Sequence, residues 1–148
     1  MRLGFNYRLD DVRAALGIAQ LEKLDEILRL RREVAARYGD LLHGIGGVEV
    51  PHPDDEDHVR SWFVYVVKLP SNEARERVIA HFEREGIGYN RYLPSIHLQP
   101  YMRERFGFRE GLCPVSEDAS SRTMALPFFT ALERDAQECV ADALAAAL

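Results

Sequence analysis

Apolar side chains recur mostly every three to five positions between Asp10 and Leu42, a spacing that predicts a long amphipathic helix. Asp10 or Asp11 can cap its first turn, because a carboxylate there accepts hydrogen bonds from unpaired backbone N–H groups. The apolar positions are Val12, Leu16, Leu21, Leu24, Leu28, Ala35, Tyr38 and Leu42.

This predicted helix is too long for a small domain to cover. Unbroken from residue 10 to residue 42, it would measure about 48 Å, whereas a domain of this size has a radius of gyration of about 15 Å. We therefore expect the helix to bend near residues 29–33. We also expect its first half to pack against a surface that this chain does not supply.

A strand–helix–strand unit is predicted over residues 61–92. Residues 61–69 are almost continuously apolar and rich in β-branched and aromatic side chains, which favours a strand in the centre of a sheet. Asn72 is placed to cap the following helix, and Gly86 to end it. Residues 87–92 form the second predicted strand.

Weaker patterns complete the predicted fold. They indicate short strands at residues 48–50 and 124–126, a short helix after Pro100, and a last helix opened by a capping box from Thr130 to Glu133. The result is an α+β fold, a small mixed or antiparallel sheet with helices on one side, entered by a long N-terminal helix. Residues 1–42 form the entering segment, and residues 43–148 form the small α+β domain.

Composition excludes several classes of function. The 148 residues suffice for one compact domain, and the net charge of −5 disfavours nucleic acid and anionic membranes as partners. No apolar run approaches the ~20 residues that span a membrane, and the first residues lack the pattern of a signal peptide. We expect a cytoplasmic protein, in which Cys113 and Cys139 are free, buried or half-buried thiols.

An acidic loop at residues 51–58 contains two histidines. His52 and His58 flank its carboxylates, which raises the possibility of a metal site. The spacing defines no ligand geometry, so we interpret the segment as a solvated surface loop and expect no metal.

The segment before the first helix contains groups suited to an anion. Asn6 can donate hydrogen bonds to a phosphate, and the Arg8 guanidinium can pair with phosphate or carboxylate. Both precede a helix N-terminus, where anions are stabilised. The alternative is a polar terminus in which an aspartate merely caps the helix.

Four stretches of the chain together resemble the DegT/DnrJ/StrS-type sugar aminotransferases. The resemblance covers nearly the whole chain, and its first stretch, residues 4–25, is specific because its spacing of small residues is not generic to amphipathic helices. The stretches are residues 4–25, 62–69, 92–101 (with the His-Leu-Gln-Pro-Tyr pattern) and 114–127.

This resemblance implies the C-terminal domain of a fold-type I aminotransferase that works as a homodimer with pyridoxal phosphate. Asn6 would contact the cofactor phosphate of the neighbouring subunit, and Arg8 would bind a substrate anion. His97, Gln99 and Tyr101 would lie near the nucleotide-sugar substrate. For His97 a half-buried packing role is the alternative, and Tyr101 could equally be a core or rim aromatic.

The family's Schiff-base lysine lies in a Ser-x-His-x-x-Lys context that this sequence does not contain. The two lysines present, Lys23 and Lys68, occur in other contexts. We therefore expect no catalytic residue in this chain and no activity from it alone. The whole enzyme would transfer an amino group, typically from a glutamate donor, to a keto-sugar nucleotide. The alternatives are a non-catalytic binding or dimerisation module and a small-molecule-sensing α+β domain.

Overall fold

The computed structural model describes residues 9–148 of the chain. Within this range the chain forms six α-helices, three strands and one 3₁₀ turn at Ile96–Leu98. In chain order these elements are α1 (Asp11–Leu21), α2 (Leu24–Leu42), β1 (Tyr65–Lys68), α3 (Asn72–Glu85), β2 (Asn90–Arg91), the 3₁₀ turn, α4 (Pro100–Phe106), α5 (Pro114–Arg122), β3 (Thr123–Leu126) and α6 (Arg134–Ala147).

The three strands form one antiparallel sheet in the order β1-β3-β2. Tyr65 pairs with Leu126 in β1–β3, and Asn90 pairs with Ala125 in β2–β3. The α+β class and the small antiparallel sheet are therefore confirmed. The central strand is β3, so the prediction that residues 61–69 hold the centre was wrong.

The strand lengths also differ from the predictions. The strand predicted at residues 48–50 is a single bridge from Glu49 to Lys68, and the strand predicted at residues 87–92 shortens to Asn90–Arg91. Alternate burial in β1 shows that one of its faces is covered, while Phe63, in the same apolar run, stays exposed. Part of that apolar run therefore lies outside the sheet. The run predicted a longer strand because apolar residues continue beyond both ends of β1.

The core lies between the covered face of the sheet and α2, α3 and α6. Tyr38 of α2 contacts Tyr65 of β1, with ring centroids 5.0 Å apart, and its hydroxyl donates to the Pro127 carbonyl at 2.9 Å. Gln137 of α6 is fully buried, and its amide donates to the Val34 carbonyl at 3.0 Å. Apolar burial and satisfied polar groups thus fix α2 and α6 together.

Helix α3 follows its local sequence signals. The Ser71 hydroxyl accepts from the Ala74 N–H at 3.1 Å, so the cap lies one residue before the predicted Asn72. Gly86, with φ 69°, ends the helix as predicted. At α6 the predicted capping box is not formed, because the helix begins at Arg134 and Glu133 occupies its N-cap position without a side-chain bond.

The long N-terminal helix is interrupted at Glu22–Lys23, so the bend predicted at residues 29–33 was misplaced. Arg29 spans that region with ion pairs to Glu26 and Glu33 on the same helix, and these favour a continuous α2. Counted over the described residues, no side chain of α1 is buried. Its exposed apolar side chains are Val12, Leu16, Ile18 and Leu21.

Candidate functional site

The segment that contains His97, Gln99 and Tyr101 lies against α5. His97 is 8% exposed, and its Nε2 lies 2.8 Å from the Glu117 carboxylate. Two residues earlier, the buried Ser95 hydroxyl lies 2.9 Å from that of Ser120. The 3₁₀ turn therefore meets α5 at two points, one helical turn apart.

Glu117 is the most connected carboxylate of this region. It accepts hydrogen bonds from the backbone N–H groups of Gly111 at 2.9 Å and Cys113 at 3.1 Å, in addition to its contact with His97. The Gly111 and Cys113 amides, and then the His97 ring, lower the pKa of the Glu117 carboxyl below its ordinary value. Glu117 is therefore a carboxylate at neutral pH.

Gln99 and Tyr101 differ from His97 in their exposure. Both are exposed, and Gln99 stands at the N-cap position of α4, where its carbonyl accepts from the N–H groups of Met102 and Arg103. The Tyr101 hydroxyl accepts from Arg105 Nη1 at 2.8 Å. The segment thus combines a buried histidine with two side chains open to solvent.

Asn6 and Arg8 lie outside the described residues, so their predicted contacts with cofactor and substrate stay predictions. The roles predicted for His97, Gln99 and Tyr101 also stay predictions. The burial of His97 agrees with the alternative in which this residue only packs in the fold. Its Nδ1, however, has no hydrogen-bond partner among residues 9–148, which leaves a binding role open.

Several groups of this region were not identified from the sequence. Glu117, Ser95 and Ser120 were missed, and so was Arg75, which is buried and donates to the Ser120 carbonyl at 2.8 Å. The Pro-Val-Ser-Glu run at residues 114–117 is itself a helix-start signal, with proline at the first position and a carboxylate in the first turn. This signal could have revealed α5 and the position of Glu117.

The two lysines of the chain lie in different surroundings. Lys68 Nζ lies 3.0 Å from a carboxylate oxygen of Glu49, and Lys23 is exposed at the junction of α1 and α2. A Schiff-base lysine needs an amine free to form an imine with the cofactor aldehyde. The Lys68 amine is instead held by the Glu49 carboxylate.

A separate cavity of about 520 Å³ lies between α2 and the loop that follows Val50. One wall is Trp62, whose φ of 47° places a bulky residue in the left-handed region. The cavity is lined by Arg32, Ala35, Ala36, Gly39, Asp40, His43, Val50, Pro51, Pro53, Asp54, Trp62 and Tyr65. Of the predicted site residues that the structure describes, which are His97, Gln99 and Tyr101, none lines this cavity.

The acidic loop behaves as a surface segment. His52 and His58 are both exposed, and His58 Nδ1 lies 2.8 Å from Asp55. Over residues 9–148, no cluster of three or more potential ligands could hold a metal ion.

The two cysteines are more exposed than the sequence predicted. Cys113 and Cys139 are both exposed, so the expectation of buried or half-buried thiols was wrong. Cys139 lies in α6 on the side away from the core, and Cys113 precedes α5.

In the part of the chain that the structure describes, every helix is too short or too polar to cross a membrane.

Solved structures define the class to which this fold belongs. DesV from S. venezuelae, solved with a ketimine intermediate, is 28% identical with a TM-score of 0.84, and the match covers 94% of this chain and 36% of that chain. A Bacillus subtilis protein, ntda, solved with bound PMP, is 22% identical with a TM-score of 0.79, over 97% of this chain and 33% of that chain. The fold is that of the C-terminal part of fold-type I aminotransferases.

The family profile described as the DegT/DnrJ/EryC1/StrS aminotransferase family matches residues 1–145. The chain therefore belongs to this family, and the resemblance inferred from its sequence is confirmed. A curated relative, the dTDP-4-dehydro-2,3,6-trideoxy-D-glucose 4-aminotransferase of Saccharopolyspora spinosa, is 35% identical over 133 residues, which are 90% of this chain and 33% of the relative. The chain thus spans about a third of the length of these relatives.

Proposed function

We propose that this chain is the C-terminal portion of a pyridoxal-phosphate-dependent aminotransferase that transfers an amino group from glutamate to a keto-sugar nucleotide. The observation that carries the proposal is the family match over residues 1–145 in a chain that spans about a third of its relatives. The named activity of the Saccharopolyspora relative supports a nucleotide sugar as the acceptor.

In this proposal Asn6 contacts the cofactor phosphate of a neighbouring subunit, and Arg8 binds an anionic group of the substrate. His97, Gln99 and Tyr101 contact the nucleotide sugar. The solvent-open positions of Gln99 and Tyr101, beside the anchored His97, support a binding surface on this segment. The bound cofactor would supply the electron sink that amino-group transfer requires.

The Schiff-base lysine would come from a part of the enzyme other than this chain, so the chain alone would be inactive. The ion pair of Lys68 with Glu49 and the exposed position of Lys23 support this view. The exposed apolar face of α1 supports a homodimer, because unburied apolar surface of this kind marks contacts between protein surfaces. In this proposal the homodimer acts in the cytoplasm.

The lysine proposal is tested by mixing the chain with pyridoxal phosphate, reducing with borohydride and measuring its intact mass. No specific adduct is expected. One stoichiometric adduct at Lys23 or Lys68, with the other lysine unmodified, would show a self-contained cofactor site and contradict the proposal.

The activity is tested in a chimera in which this chain replaces the matching third of the Saccharopolyspora relative. We expect glutamate-dependent formation of the aminated dTDP-sugar, detected by mass spectrometry. Asn6→Ala in the chimera should weaken cofactor retention roughly tenfold, the loss expected for one hydrogen bond to a charged group. A chimera that folds and retains the cofactor but transfers no amino group counts against the assigned reaction.

A non-catalytic dimerisation module is the second candidate, and the exposed apolar side chains of α1 favour it. The two candidates differ in their need for Asn6 and Arg8. A module would keep its oligomeric state after substitution of both residues and would confer no activity on the chimera.

A further inference from the structure

The Glu117 carboxylate joins two structural features that the family match does not assign to it. One is the start of α5, where it accepts from the Cys113 and Gly111 N–H groups. The other is the buried ring of His97, whose Nε2 lies 2.8 Å from Glu117 Oε1. A single side chain therefore links the folding of α5 to the orientation of the histidine in the predicted substrate segment.

The chemistry of this contact selects one tautomer of His97. An ionised carboxylate is an acceptor only, so a hydrogen bond between it and Nε2 requires the proton to be on Nε2. In a neutral imidazole the other nitrogen, Nδ1, then carries a free lone pair and accepts hydrogen bonds. Among residues 9–148, no group donates a hydrogen bond to Nδ1, so within this range its lone pair is not used by the protein.

The position of the ring is fixed as well as its tautomer. The Ser95 hydroxyl contacts Ser120 at 2.9 Å, which attaches the start of the 3₁₀ turn to α5. Arg75 in turn donates to the Ser120 carbonyl at 2.8 Å, which attaches α5 to α3. The turn that carries His97 is therefore attached to α5, and α5 to α3, while the ring itself is buried and contacts Glu117.

We propose that Glu117 is a positioning residue that holds neutral His97 as the Nε2–H tautomer, so that Nδ1 accepts a hydrogen bond from a hydroxyl of the nucleotide sugar. The substrate part of this inference rests on the proposed function. The tautomer part does not, because it concerns only two residues of this chain. Glu117 acts through His97 and need not touch the substrate.

The tautomer is measured by long-range ¹H–¹⁵N correlation spectra of the histidine side chains at pH 7.5. We expect His97 in the wild-type chain to show a protonated Nε2 and an unprotonated Nδ1. Glu117→Gln keeps the shape of the side chain. The Oε1 position that faces Nε2 also accepts from the Cys113 N–H, so an amide NH₂ group in that position donates to Nε2 only by giving up this backbone bond. The two orientations of the amide favour different tautomers, so we expect part of the His97 population in this variant to carry its proton on Nδ1.

Glu110→Gln is the matched control, because it removes the same charge from an exposed side chain nearby. It should leave the His97 spectrum unchanged. Unchanged His97 nitrogen shifts in Glu117→Gln, or an imidazolium in the wild type, would overturn the tautomer inference. Thermal melts of each variant identify a loss of folding, which a helix-capping role alone would produce without a tautomer change.

The substrate part is measured by titrating each chain with UDP-glucose and observing His97 Nδ1. We expect a shift of Nδ1 in the wild type and about three- to tenfold weaker binding in Glu117→Gln, as for one neutral hydrogen bond. Binding that moves Gln99 and Tyr101 but leaves Nδ1 unchanged, or that is equal in wild type and Glu117→Gln, would overturn this part. No binding at all, with the tautomer as expected, would count against the proposed function and leave the role of Glu117 toward His97 supported.

Discussion

The indole Nε1 of Trp62 donates to the Asp54 carboxylate at 3.0 Å, and the same carboxylate accepts from the Arg60 N–H at 3.3 Å. These contacts hold Trp62 at a φ of 47°, with its ring stacked on Tyr65 at 5.8 Å. A bulky side chain in the left-handed region is strained, at a cost on the order of 1–3 kcal/mol. Asp54 and the packing of the ring therefore stabilise a conformation that the backbone alone disfavours.

Asp54→Ala should release this ring. Because both hydrogen bonds are lost, we expect the free energy of unfolding to fall by about 1–3 kcal/mol. Trp62 is the single tryptophan of the chain, so its fluorescence reports on this position alone. The emission maximum should shift to longer wavelength, because the ring gains contact with water. Asp57→Ala removes an exposed carboxylate of the same loop and should change neither value. An unchanged emission maximum in Asp54→Ala would show that core packing alone holds the ring.

Stability should fall at alkaline pH because of buried phenols. Burial raises the pKa of Tyr65 to about 12 and raises that of Tyr38 as well, while an exposed tyrosine in the unfolded chain titrates near 10. Between these values the folded state binds more protons than the unfolded state, so the free energy of unfolding decreases as pH rises from about 10 to about 12. Below pH 10 the contribution is fully present.

Urea denaturation at several pH values measures this decline. Tyr65→Phe should make it less steep, because one of the two groups no longer titrates. Tyr101→Phe is the control, since Tyr101 is exposed, and it should leave the slope unchanged. Equal slopes in wild type and Tyr65→Phe would contradict the assignment of the decline to the Tyr65 phenol.

The chain should self-associate through the apolar face of α1. Val12 is 80% exposed and Leu16 is 64% exposed, so association would remove this surface from water. Leu16→Glu should weaken association roughly tenfold or more, because burying one leucine contributes about 1.5–3 kcal/mol. Sedimentation equilibrium measures the effect, with Gln20→Glu as the charge control on an exposed polar position. A clean monomer of the wild-type chain at high concentration would contradict this prediction.

Local sequence signals predicted the bounds of α3 well, whereas contacts between residues far apart in the chain were not predicted. Gly86 ends the helix as predicted, and the observed cap, Ser71, lies one residue before the predicted Asn72. The signals that bound this helix are therefore contained in the segment itself. Helix α5 carries serines and carboxylates with no apolar period, and it is held by contacts to residues 20 or more positions away. Its start carries a local signal in Pro114 and Glu117, but its position in the fold depends on those distant partners.

The central strand was misassigned for a related reason. The apolar run at residues 61–69 is the strongest strand signal of the chain. The central position of the sheet nevertheless belongs to the strand that pairs on both of its edges, and the apolar content of one segment does not reveal this. That strand is β3, whose four residues give a weak pattern. For the candidate site, the resemblance pointed to His97, while its contact with Glu117 depends on the packing of two distant segments.

The strand order also constrains when the sheet can form during synthesis. β1 and β2 flank β3 without pairing with each other, and β3 follows both in the chain. A ribosome that has synthesised residues up to 122 has therefore produced β1 and β2 without a strand to pair with either, and β1 has only its bridge from Lys68 to Glu49. The antiparallel sheet closes only when residues 123–126 emerge, so the edges of the first two strands stay unpaired with any other strand until β3 is available.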